Sequence, residues 1–535
     1  MPIENDSQYS GFHRPGIRLT EPLDPELTAL RPGRIAPMVY ALHMFDKAHV
    51  VMLTEEGLIP RADGSAILRA LRTLEQEGVD RVRAGLGGDL HAGEAYLIRT
   101  LGEGVGGRMH LGRSSGDLST VGLNIRERDR LLALMRGIND LRAVLLTQGR
   151  EHAAVVMPGY TFLQHAQPVT LGHTYTAWAA TLARDFERAR GAYGRVNRSA
   201  AGAAIMTGSD FPLNRARSAE LLGFDRAHEN TQDAILELTP DDFFETFAVV
   251  AILHANLARW AEDLTLWTTS EFGFLEVPDR FCGTSSIMSQ KRNFLLPLEI
   301  KGAAAAALGG LVTMFHGLKG SSGTPVSERY YGVEGLWEAF DTAERSMRWL
   351  GEYLPLARPN AALMRERAGA FWATVTDVAG ALVRERDLPW RTAHQIVGIF
   401  VRRAVERGLR PTEVTTELLD EAAIEYRGTP VGLDALSLRA ALDPERFVRA
   451  RTLYGGPAPE QVRERIAEME GQLAADRREV ETFADRLAKA AAKLEAAIDR
   501  IVSHLPNERW DEVGSAKLRK EGRLSAHPQE RVPGE

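Results

Sequence analysis

The chain has 535 residues, 44% of them apolar, with 65 basic and 72 acidic side chains and a net charge of −7. That length allows three or four domains, or one large core with appendages, and the apolar share excludes wholesale disorder. The mildly acidic balance gives no chain-wide basic footprint for nucleic acid or an anionic membrane, and the single cysteine, Cys282, excludes an internal disulfide and a multi-cysteine zinc site.

Met1–Pro32 is polar and dotted with prolines. It lacks the basic-then-apolar pattern of a secretory signal; with one cysteine, this fits a reducing cytoplasm. Beyond Pro32 most of the chain reads as helix, and no long segment alternates with period two, so no substantial sheet is expected. The glycine-rich stretch Gly102–Gly116 marks the end of a first helical domain, 1–120. A central long-helix bundle is expected over 121–370, a C-terminal helical domain over 371–505, and a polar tail over 506–535.

Asp241–Ser270 contains neither glycine nor proline; Thr239 is its expected N-cap, with Pro240 at the first helical position. Such a helix is about 45 Å long at roughly 1.5 Å per residue. Phe243, Phe247, Val250, Leu253, Leu257, Trp260 and Leu264 cover most of its sides, which places it inside a bundle. Gly302–Phe315 is the longest nearly uncharged apolar stretch, too short to span a bilayer, and reads as a buried helix. Past Pro459, apolar residues from Val462 to Ile501 recur at a 3–4 spacing, a coiled-coil-like seam whose simplest use is packing within the chain.

The segment Gly283-Thr284-Ser285-Ser286-Ile287-Met288-Ser289-Gln290-Lys291-Arg292-Asn293 sets small residues before a cationic pair and an amide, between two long apolar helices. Backbone N–H groups, Lys291 and Asn293 in such a loop can hold a carboxylate. A plain helix connection with an N-cap serine is the competing reading.

This segment resembles the signature loop of the fumarase/aspartase superfamily, written G-S-S-x-M-P-x-K-x-N. Two further stretches resemble motifs of its argininosuccinate lyase branch. His110-Leu111-Gly112-Arg113-Ser114-Ser115-Gly116-Asp117 is similar to H-T-G-R-S-R-N-D, and Gly159-Tyr160-Thr161-Phe162-Leu163-Gln164-His165-Ala166-Gln167-Pro168 to G-Y-T-H-L-Q-R-A-Q-P. The likeness extends over roughly residues 40–465. It implies an all-α, three-domain subunit in a cytoplasmic homotetramer, whose long central helices pool into a twenty-helix core and whose active sites each draw on three subunits. The implied reaction is β-elimination of fumarate from an N-substituted aspartate, with no cofactor or metal. On the same likeness Ser285 is the base and Lys291 a stabiliser of the carbanion. Arg113, Ser114, Ser115, Thr161, Gln164, Ser286, Asn293 and Tyr330 are the expected substrate contacts, although Arg113 also suits a structural ion pair.

The departures are equally specific. Phe162 stands where the branch has a histidine on the acid side of the reaction; His165, one turn on if the segment is helical, and His110 are the candidate substitutes, the third option being a leaving group that departs without a protein acid. Ser115-Gly116 replaces an arginine–asparagine pair, and about three residues are inserted around Leu236–Leu238. These changes cluster where the leaving amine should sit, so a leaving group other than arginine is expected. A genuine argininosuccinate lyase and an inactive structural homologue are the alternatives.

Overall fold

The structure, a computed structural model, describes residues 35–320 and 329–503, with residues 24, 26 and 323 besides. The expected tail at 506–535 and nearly all of the leader lie outside the described residues.

Helix α1 (Val39–Glu55) packs on α2 (Arg61–Glu77). A short helix, α3 (Ala92–Leu101), leads through a 3-10 turn at Gly107–His110 into α4 (Ser115–Glu151). At 37 residues, α4 is roughly 55 Å long. A β-hairpin, β1 (Val156–Thr161) with β2 (Gln164–Thr170), connects it to α5 (Leu171–Val196). The bundle continues with α6 (Leu238–Trp267), α7 (Leu296–Leu318) and α8 (Arg329–Tyr353). Between α6 and α7 runs a second hairpin, β3 (Cys282–Thr284) with β4 (Arg292–Phe294). Among the described residues, all pairing of strands is in two-stranded ribbons.

Helix α6 is the interior helix its composition demands. Phe243, Phe247, Leu253, Leu257, Trp260 and Leu264 are all buried, and Trp178 of α5 stacks on Trp260 and Trp267 with centroids 5.1 and 5.8 Å apart. Its start differs from the expectation at Thr239. The helix begins at Leu238 and continues directly from a π-helical turn, Asp233–Glu237, which leaves Pro240 within the first turn. The π turn adjoins the stretch where an insertion is expected from the sequence.

The reading of Gly302–Phe315 as buried is overturned for the single chain. The helix that contains it is longer, 23 residues, which is long and apolar enough to cross a membrane by length and composition only, and 17% of its apolar window is buried. Leu308, Val312 and Phe315 are 60%, 51% and 45% exposed and follow one another at helical spacing. Apolar composition fixes that a face must be covered, not which chain covers it.

Helices α9 (Thr376–Arg386), α10 (Trp390–Glu406) and α11 (Thr416–Arg427) surround a separate small core with Leu382, Phe400 and Leu419 at its centre. The last helix, α12 (Pro459–Ser503), returns along α4, α5, α1 and α2. Its seam is buried within the chain, at Val462, Ile466, Leu473, Val480, Leu494 and Ile501. The one acidic residue in that seam, Asp476, accepts a hydrogen bond of 2.5 Å from the buried Arg142 of α4.

Candidate active site

The first motif forms the entry to α4. Ser114 is the N-cap: its Oγ accepts from the Gly116 N–H, while the Asp117 carboxylate accepts from the Ser114 N–H at 2.9 Å and from the Gly202 N–H at 3.1 Å. Burial pushes Asp117 up to about 6 against those N–H donors. Ser115, the first residue of the helix, is hydrogen-bonded through Oγ to His91 Nε2 at 3.0 Å. Gly116 has no room for a side chain, since a Cβ there would lie 2.8 Å from the Ala204 carbonyl oxygen and 2.9 Å from Ile205 Cδ1. Arg113 is buried and donates to Asp46 at 2.6 Å. Asp46 also pairs with the buried Arg83. Burial works to raise the Asp46 pKa, and the two guanidinium groups outweigh it and hold it low. In this chain Arg113 therefore serves the ion pair that its fork geometry equally suits.

The second motif is the β1–β2 hairpin, and this corrects the helical placing of His165. Thr161 pairs with Gln164 across the tip, and Phe162 and Leu163 make the turn with φ of 53° and 56°. Positive φ at two bulky residues is strained and marks the tip as a constrained loop. Phe162 is 98% exposed, and Thr161 and Gln164 are exposed beside it. His165 lies back along β2 opposite Tyr160, its ring 5.1 Å from that of Tyr160 and 4.7 Å from that of Phe371. Burial lowers its pKa, which favours the neutral ring.

The signature loop is the turn of the β3–β4 hairpin and not a helix connection. Gly283 pairs with Asn293 and Thr284 with Arg292. Ser285 Oγ accepts from the backbone N–H groups of Met288 and Ile287, at 3.1 and 3.3 Å. Such donors favour negative charge on the oxygen they face. Ser286 and Lys291 are exposed, and Asn293 is half-buried at the rim of a cleft with Thr268, Glu276, Arg358 and Asn360. Arg292 is tied down by Asp279 at 2.5 Å and the Val277 carbonyl at 2.7 Å. Tyr330 falls in the first turn of α8, and its side chain lies outside the described part of the structure.

The chain does not bring the first two motifs into one place. The first opens α4, and the base of the second is fastened to the other end of it, where Leu171 N–H donates to Val155 and Gly172 N–H to His152. Strands of six and seven residues reach about 20 Å at roughly 3.3 Å per residue, so the Thr161 tip stays roughly 30 Å or more from Ser115.

Two groups escaped the sequence reading. One is the polar stripe His43, Asp46, Lys47 and His49 in the otherwise apolar α1, all buried. His43 and Lys47 both reach Glu75 of α2, at 3.0 and 2.7 Å, and Lys47 also reaches Glu495 of α12. The signal was available, since charged residues at this density inside an apolar helix demand partners. The other is His91 with Glu94, at i and i+3 at the head of α3, whose carboxylate also faces His110.

Comparison with known proteins gives the class. The family model described as lyase matches residues 42–308, and that described as argininosuccinate lyase C-terminal matches 372–449. The argininosuccinate lyase of Methanothermobacter thermautotrophicus is 38% identical over 434 residues, 81% of this chain and 92% of that protein. That of Methanosarcina barkeri is 36% identical over 455 residues, 85% and 91%. Among solved structures, a variant of EDDS lyase with bound fumarate is 32% identical with a TM-score of 0.81, covering 88% of this chain and 93% of that one. The chain belongs to the fumarase/aspartase superfamily, close to the argininosuccinate lyases. Within it the chain is a carbon–nitrogen lyase.

Proposed function

We propose that this enzyme eliminates fumarate from an N-substituted aspartate in the anti sense, or adds an amine to fumarate in reverse, and that its amine is not arginine. The observation that carries the altered amine is the closure at Gly116. The asparagine of the resembled motif has no place there, because the Ala204 carbonyl and Ile205 fill the space of a Cβ. A site that loses a donor to its leaving group changes what it accepts, because hydrogen-bond readout discriminates sharply. Ser115, bonded to His91, takes the place of the arginine.

Ser285 Oγ removes the proton from the carbon next to a carboxylate, and the two N–H donors on that oxygen favour its charged form. The charge spreads into the carboxylate, where Lys291 and Asn293 stabilise it. The C–N bond then breaks: the nitrogen, already protonated, takes the bonding pair and leaves as the neutral amine, the carbanion's electron pair becomes the C=C bond of fumarate, and the proton taken from carbon passes from Ser285 Oγ to solvent. Ser114, Ser115, Thr161, Gln164, Ser286 and Tyr330 complete the substrate contacts, with no metal or cofactor needed for any of these steps. Copies of the chain assemble as a homotetramer. The Leu308, Val312, Phe315 stripe is the face that other copies cover, and the separation of Ser115 from Thr161 requires sites shared between them.

Arginine as the amine is the second reading, favoured by the names of the relatives in Methanothermobacter and Methanosarcina. Incubation with argininosuccinate separates the two. We expect no arginine above the Ser285→Ala background; release that disappears in Ser285→Ala would overturn the altered amine.

A further inference from the structure

The entrance to α4 carries a side-chain cluster that the elimination does not use. His91 is the residue before α3, Glu94 lies in that helix's first turn, and His110 ends the 3-10 turn that leads into α4. Glu94 Oε2 is 3.0 Å from His110 Nδ1 and 3.5 Å from His91 Nδ1. One ligand-capable atom from each residue falls within 4.8 Å of the others. Two ligands held roughly 2.1 Å from a tetrahedral ion stand about 3.4 Å apart, so the two spacings to Glu94 need only a few tenths of an ångström of adjustment, with the two histidines brought to the same separation by the ion.

We propose that His91, Glu94 and His110 form a binding site for a divalent transition metal of zinc type. Two imidazoles and one carboxylate are a donor set that zinc accepts. Three further features distinguish the cluster from a chance meeting of side chains. First, the far nitrogen of His91, Nε2, is bonded to Ser115 Oγ at 3.0 Å, which turns Nδ1 toward Glu94 as an outer partner does for a metal-ligating histidine. Second, His91 is fixed at its backbone, where its N–H donates to Asp89 at 2.8 Å. Third, the cluster is closed on one side and open on the other: the side chains of His91 and Glu94 are 5% and 12% exposed, and that of His110 is 27% exposed. A bound ion has its entry path past His110. It would tie the head of α3, the 3-10 turn and the first residue of α4 into one unit, and so order the first motif.

The test is zinc titration of the full-length, chelator-treated protein by calorimetry, alongside His110→Ala, Glu94→Gln and Ser115→Ala. The first two change the less buried ligand and an isosteric one, so circular dichroism can confirm that both fold. We expect one zinc per chain, tetrahedral cobalt(II) absorption on substitution, and a higher unfolding temperature with zinc. We expect affinity to fall by at least about tenfold in His110→Ala and Glu94→Gln, and by roughly tenfold in Ser115→Ala. No stoichiometric zinc in the wild type, or equal affinity in the folded His110→Ala and Glu94→Gln variants, would overturn the site and leave a hydrogen-bonded histidine–glutamate cluster only. These readouts need no substrate, so they stand or fall apart from the proposed lyase reaction.

Discussion

Ser115 opens α4, a helix of 37 residues, and Thr161 stands at the tip of the hairpin fastened to its far end, so the whole helix separates the first two motifs. Under the proposed function that separation calls for a site shared between copies of the chain, which gives a direct prediction. Ser114→Gly and Thr161→Val should each lower elimination by roughly tenfold or more, since each removes a hydrogen bond to a charged substrate group. Chains of the two variants, co-expressed or refolded together, should regain activity that neither shows alone. Mixed oligomers with no recovery would mean that each site is built from one chain.

Gly116→Asn restores the asparagine of the resembled motif against a closed wall. Overpacking of this kind costs about 1–3 kcal/mol. The expected result is a lower unfolding temperature and no gain of arginine release. A stable variant that does release arginine would show that the Ala204 and Ile205 wall yields.

Asp46 carries two buried guanidinium groups, those of Arg113 and Arg83. Asp46→Asn leaves both without their carboxylate, and breaking a buried pair costs about 3–5 kcal/mol. Denaturant unfolding of the variant measures it. A loss below about 1 kcal/mol would mean that solvent or substrate already shares the charge of Arg113.

Glu127 of α4 and Asp242 of α6 are both buried. Burial pushes Glu127 up to about 8; burial, with Glu127 next among the causes, pushes Asp242 up to about 9. Both folded values stand above the unfolded ones of about 4. The stability of the neutral pair is therefore complete below about pH 4 and is lost as pH rises through about 8 to 9. The unfolding temperature should fall between pH 5 and pH 9, and fall less in Glu127→Gln. Parallel profiles for the two proteins would contradict this.

The range of each interaction decided whether it was legible in the sequence. The interior position of α6 was legible from apolar residues on most of its sides, and the seam of α12 from its 3–4 spacing, because both patterns are local. The hairpins at Val156–Thr170 and Cys282–Phe294 were not, since their strands are short, lack clean alternation and carry glycine, proline and polar residues. The Arg113–Asp46 pair joins residues 67 apart, and no local pattern announces it. Helix α7 misled because apolar composition states a need for cover without naming the chain that supplies it.

The chemistry itself is tested most directly by mass spectrometry of the purified protein incubated with fumarate and a panel of amines, amino acids and guanidines. Ser285→Ala is the control. We expect a succinyl adduct of one amine that appears with the wild type and is absent with Ser285→Ala. Formation of the same adduct by Ser285→Ala at the wild-type rate would contradict the proposed elimination, because the proton would then be moved without the serine oxygen of the signature loop.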